Sequence, residues 1–210
     1  MAVIVNINLF WPDFCKFVVI YLLIMLNFIK NQFRKNRITE DMVVADRQYL
    51  DWSHIRSVSF AYLIDSAQSV AELVALLSAL DKLGVDYSGL IIEGENGLFV
   101  KHKLENNRIT LLKRTDINWL GIPKNSIVKN FTGKESDIFI CFNGANNYTL
   151  NYICRLENSG FKVALGNGFD SNLFTMVLKQ PDGARYSAVE MFGKLRGYLE
   201  MIKTEPVNGK

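Results

Sequence analysis

The stretch Arg56-Ser-Val-Ser-Phe-Ala-Tyr-Leu-Ile64 constrains the fold more than any other part of this chain. Apolar side chains fall at 58, 60, 62 and 64 and again at 61 and 63, so neither face of an extended segment is left for water. Such a strand belongs in the middle of a sheet covered above and below, and sheets of that kind are mostly parallel. Asp65 and Ser66, residue types that cap helices, come next. Val70, Leu73, Val74, Leu77 and Leu80 recur at helical spacing as far as Gly84, a residue suited to ending a helix. Leu90 to Ile92 starts a second strand, and the βαβ unit predicts a parallel pair.

The remaining chain continues the alternation. A strand is expected over 109–114, with a further segment at 98–104 that reads either as a hairpin partner or as loop. Pro123 is expected to open a short helix with Ile127, Val128 and Phe131 on its apolar face. Asp137 to Phe142 reads as a buried strand, and Asn143 to Asn147 turns into a helix bearing Leu150, Ile153, Cys154 and Leu156. Strands at 162–165 and 174–178 precede a last helix from about Ala184 to Lys203. The order predicts an α/β three-layer sandwich with a mostly parallel sheet, Rossmann-like or flavodoxin-like.

Residues 1–37 follow another pattern. Phe17 to Ile29 is uncharged, with Asn27 as its one plainly polar side chain, and Lys30, Arg34, Lys35 and Arg37 come directly after it. A membrane span needs ~20 apolar residues. Extending the run back to Phe10 supplies the length but admits Pro12, Asp13 and Lys16. Three readings stand: a transmembrane segment between Phe10 or Phe17 and Ile29, translation from Met25 with a short basic surface helix, or a first helix packed inside the domain. The first puts the globular part on the cytoplasmic face of the inner membrane, because the cations follow the run; the second puts it in the cytoplasm. Residues 38–54 read as a linker, 55–204 as the α/β domain and 205–210 as a tail.

Charge separates these parts. The first 38 residues carry five Lys or Arg and one acid, whereas the rest carry nineteen basic and twenty acidic residues. A nearly neutral domain lacks the field that draws a nucleic-acid backbone, so no nucleic-acid partner is expected. The basic flank suits an anionic membrane surface. Cys15, Cys141 and Cys154 form no CxxC pair and read as small buried hydrophobes.

Ligands of open α/β sheets bind beyond the carboxyl ends of the strands. The residues there include Asp65, Ser66, Asn143 and Asn146, with Asn118 and Trp119 on the loop after the third strand. Asp65 is a candidate metal or ribose ligand and, more simply, a helix cap; Asn143 and Asn146 cap a helix or read a ligand. Gly166-x-Gly168 lacks the third glycine of a phosphate loop and reads as a turn. His54 and His102 have no metal-ligand spacing, and Ser66 sits in no nucleophile elbow. No catalytic residue, metal or cofactor is assigned. The expected function is a protein- or small-ligand-binding module; the alternative is an enzyme with a sheet-top pocket around Asp65, Asn143 and Asn146.

Lys113 to Lys124 (KRTDINWLGIPK), Ser136 to Asn143 (SDIFICFN), Asn147 to Ile153 and Gly160 to Gly166 together resemble an uncharacterised bacterial family of short α/β proteins, known only as a domain of unknown function. Its most specific element is the pattern D-x-N-W-x-G-x-P, here Asp116, Asn118, Trp119, Gly121 and Pro123. The resemblance covers about residues 26–204. It implies a short basic helix at the start, and no catalytic residues to carry over.

Overall fold

The computed structural model describes residues 11–40, 50–94, 107–142 and 147–202. The chain divides into two units, the first ending at Asp41 and the second beginning at Met42.

The first unit is helix α1, Trp11–Glu40, which continues through the basic segment. Its described apolar side chains, from Val18 to Ile29 and at Phe33, are exposed on every side, at 39–66%. Among the described residues no helix is long and apolar enough to cross a membrane, so the expected span is corrected. The charge-free run lies between Lys16 and Lys30. At ~1.5 Å per residue it covers about 20 Å, short of a ~30 Å hydrocarbon core. Phe10, and the side chain of Phe17, lie outside the described residues.

The second unit is built on a six-stranded sheet. In chain order it contains β1 (Ser57–Ile64), α2 (Ala67–Leu83), β2 (Asp86–Glu93), β3 (Ile109–Leu112), α3 (Asn125–Thr132), β4 (Ile138–Phe142), α4 (Tyr148–Leu156), β5 (Lys162–Leu165), β6 (Met176–Leu178) and α5 (Ala188–Met201). The strand order is β3-β2-β1-β4-β5-β6 and every pairing is parallel. This is the Rossmann order.

Alternation of side chains along β1 divides the core in two. Val58, Phe60, Tyr62 and Ile64 face α2 and α5, meeting Leu73 and Leu77 from one helix and Phe192 and Leu195 from the other. Ala61, with Leu90, Phe139 and Cys141 from its neighbours, faces α3 and α4 and meets Phe131, Leu150 and Cys154. Helices on both faces complete the three layers. Cys141 and Cys154 are free and buried, as expected. Trp52 packs edge-on against Phe192 at 5.8 Å, so residues next to β1 belong to the same core.

Ser66 caps α2 as expected. Its Oγ accepts the Ser69 N–H at 3.2 Å, while the Ser69 hydroxyl accepts the Ser66 N–H at 3.0 Å. Gly84 ends the helix in the left-handed region at φ 65°. Several boundaries differ from expectation. β2 begins at Asp86 because Ser57 to Ile64 pairs in register with Asp86 to Glu93. α3 begins at Asn125, since Pro123 forms an antiparallel bridge with Ile117. β6 begins at Met176, after a 3-10 turn over Ser171–Leu173. α5 begins at Ala188, where Ser187 accepts the Glu190 N–H. The segment 98–104 lies outside the described residues.

Candidate functional site

From β1 the sheet grows outward through β2 to β3; from β4 it grows the other way through β5 to β6. The switch point therefore lies between the carboxyl ends of β1 and β4. There the register lines up Tyr62, Phe142 and Leu165 across three neighbouring strands. These side chains point toward the layer of α2 and α5. A cavity of about 240 Å³ lies against this row.

Its remaining walls come from well-separated parts of the chain. α2 contributes Glu72; α5 contributes Ala188 and Met191; the segments flanking β6 contribute Phe169, Gln180 and Tyr186. The rim is held by side chains that imitate backbone. Asn167 accepts the Gln180 N–H at 2.9 Å and donates to the Gln180 carbonyl at 3.3 Å, which adds a rung beyond the β5–β6 ladder. Gln180 Oε1 in turn accepts the Tyr186 N–H at 3.2 Å. Gly166 makes the turn at φ 132°, beyond the comfortable range of a side-chain-bearing residue, and gives its N–H to the Leu178 carbonyl.

Tyr62 is fully buried, and its hydroxyl makes no hydrogen bond of ordinary geometry, although the Glu72 carboxylate is close enough to act on it. Burial raises its pKa well above the ordinary phenol value, and the carboxylates of Glu72 and Asp65 add to the shift. The group is thus a neutral donor. Glu72 accepts the Gln68 side-chain N–H at 3.1 Å and the Ala188 N–H at 3.4 Å. A carboxylate has about four acceptor positions, so capacity remains for the Tyr62 hydroxyl or a ligand donor. Among the described lining residues Glu72 is the one charged side chain.

The residues singled out in the sequence are distributed around this end of the sheet. Asp65 is exposed after β1 and acts electrostatically on Tyr62, but it does not line the cavity. Ser66 is engaged in its cap. Asn143 and Asn146 lie outside the described residues; their neighbour Asn147 caps α4 by accepting the Leu150 N–H at 3.0 Å. Asn118 Oδ1 accepts the N–H groups of Leu120 and Ile122, both at 3.0 Å. Asp116 takes the Lys124 ammonium at 2.8 Å, and the Gly121 carbonyl accepts the Thr149 hydroxyl at 2.7 Å. The D-x-N-W-x-G-x-P segment is therefore a self-bonded turn. It leaves Trp119 63% exposed.

Tyr62, Glu72, Gln180 and Tyr186 were not singled out. Tyr62 offered a sign, as the one residue carrying a polar tip near the end of an otherwise apolar central strand. Glu72 offered another, since it borders the helix stripe of Val70 and Leu73.

At the opposite end of the sheet a second polar group is buried. Ser59, Ser136 and Ser159 form a hydroxyl chain with spacings of 2.7 and 2.9 Å, and Ser159 donates to Glu157 at 2.8 Å. The other Glu157 oxygen has no partner. Lys162, also buried, donates to the Cys154 carbonyl at 3.2 Å. Among the described residues no three His, Cys, Asp or Glu side chains are grouped to hold a metal ion.

Residues 27–202 match a family described as a family of unknown function, DUF6913. This agrees with the resemblance read over residues 26–204. No curated protein matches the chain. Among solved structures, an exopolyphosphatase-related protein from Bacteroides fragilis is similar with a TM-score of 0.45 and 12% identity. The similarity covers 80% of this chain and 44% of that one, so the chain spans less than half of that protein's length.

Proposed function

The chain belongs to DUF6913, a family of unknown function, and we propose that its α/β domain is a small-ligand-binding module whose site is the cavity at the switch point. The carrying observation is the Tyr62 hydroxyl, buried beside that cavity without a hydrogen bond. Leaving such a group unsatisfied costs about 1–3 kcal/mol. A ligand group that hydrogen-bonds this hydroxyl, either as an acceptor or as a donor to its oxygen, would lower the cost. The position supports the same reading, because open parallel sheets bind ligands where the strand order reverses. The walls are mostly aromatic and aliphatic with a few polar groups, the usual make-up of a small-molecule pocket.

A fragment library screened by thermal shift tests this. Fragments should raise the melting temperature of the native protein and leave Ala188→Leu, whose larger side chain fills the cavity, unmoved. If no fragment stabilises the native protein, or if hits stabilise both proteins equally, the reading is lost.

We further propose that α1 lies at a membrane surface on the cytoplasmic side. Support comes from its exposed apolar side chains and from Lys30, Arg34, Lys35 and Arg37, which match an anionic leaflet. The full chain should co-sediment with vesicles containing phosphatidylserine, and less with phosphatidylcholine alone. Replacing Leu22 and Leu26 by Asp should release it. Equal recovery of both proteins in the supernatant would defeat this part.

A further inference from the structure

We infer that the ligand of the switch-point cavity is a small organic cation, an amine on an aromatic or apolar body, with its ammonium at Glu72. This rests on the cavity being the binding site.

The charge of the walls comes first. Glu72 is the one charged side chain among the described lining residues, and no Lys or Arg lines the cavity there. Its remaining acceptor capacity suits the N–H donors of an ammonium group. Asp65 adds a second negative charge near Tyr62.

The helix ends come second. In folds with this strand order, helix N-termini are the usual seats for phosphate. Here both N-termini on this face carry side-chain caps. Ser66 and Ser69 close α2, while Ser187 and Glu190 close α5. The Ala188 N–H, at the start of α5, is turned onto Glu72 itself. A phosphate or carboxylate ligand would thus meet capped helix ends and a carboxylate of like sign.

Shape and surface come third. Tyr62, Phe142, Phe169 and Tyr186 give the cavity aromatic walls, and Met191 gives it an adaptable one. Aromatic faces attract cations. The Lys194 ammonium already lies 4.3 Å from the centre of the Tyr186 ring, so the rings left for a ligand cation are those of Phe142, Phe169 and Tyr62. A volume of about 240 Å³ holds one ring with a short chain.

Three probes of one shape separate the possibilities: phenethylamine, 2-phenylethanol and phenylacetate, titrated calorimetrically into the full chain. The amine should bind about tenfold or more tightly than the alcohol, the advantage a charge-assisted hydrogen bond gives. Phenylacetate should bind worst. Glu72→Gln, which keeps an acceptor for Ala188, should erase the amine's advantage without abolishing alcohol binding. Glu72→Asp, which restores the charge, should recover part of it, and a melting curve on each variant checks the fold. Phenylacetate binding as tightly as the amine overturns the assignment. So does an advantage that survives in Glu72→Gln, or silence from all three probes. In any of these cases, fragment hits that Ala188→Leu abolishes keep the cavity as the site, so the two failures are distinguishable.

Discussion

Glu72 Oε2 accepts the backbone N–H of Ala188 at 3.4 Å, a link between helices 116 positions apart in sequence. One carboxylate thus both anchors the start of α5 and lines the cavity. An anion at a helix N-terminus is worth about 0.3–1 kcal/mol and is screened by salt. Glu72→Gln should cost that much in urea denaturation at low ionic strength, and the difference should narrow as salt is added. A loss that salt leaves unchanged would mean the residue acts by packing alone.

Tyr62→Phe removes the unpartnered hydroxyl and keeps the ring between β1 and α2. The domain should lose no stability and should gain about 1 kcal/mol or more, because a buried donor without an acceptor is removed. Any ligand that stabilises the native protein through this hydroxyl should bind the variant more weakly. Destabilisation by the variant would reveal a partner for the phenol.

Glu157 sets a pH dependence of opposite sign to ordinary acid denaturation. Burial pushes its carboxyl up to about 7, against the Ser159 hydrogen bond, the Lys162 ammonium and the Ser59 hydroxyl. Its folded form holds a proton more tightly than its unfolded form. The contribution is therefore fully present below the ordinary carboxyl range and is lost as pH rises through about 7. Asp116 and Asp137 are held below their usual value, so their contributions fade only on stronger acidification. Unfolding free energy should fall between about pH 5 and pH 8. Glu157→Gln should flatten that slope.

The turn after β3 gives a contrast between neighbours. Asn118→Ala removes the acceptor of two backbone N–H groups and should cost about 1–2 kcal/mol. Trp119→Ala, at an exposed side chain, should stay within about 0.5 kcal/mol of the native protein. Chemical denaturation of both variants reads the difference. Equal losses would show that the indole, not the amide, holds the turn.

Much of this architecture was legible because its signals are local. β1 and β4 are apolar at nearly every position, which only a doubly covered strand tolerates. Ser66 and Gly84 mark the ends of α2 through their own chemistry. The boundaries that shifted depend on distant partners: Asp86 extends β2 because Ser57 lies opposite it, and Pro123 is drawn into pairing by Ile117. The cavity was illegible for the same reason. Tyr62, Glu72, Phe142, Gln180 and Tyr186 share no motif, and only the strand register and the packing of α2 against α5 bring them together. Asp65 stands beside the site by virtue of ending β1, whereas Ser66 spends its side chain on the helix it begins.

The adjacency of β1 and β4 joins two stretches that α2, β2, β3 and α3 separate along the chain. A nick between 113 and 137 would divide the polypeptide into two half-sheets. Each half would end in a bare ladder of amide and carbonyl groups on a strand greasy on both sides. Mixed together, the halves would dock and restore the whole; expressed singly, each would stack on its own kind and come out of solution as fibres.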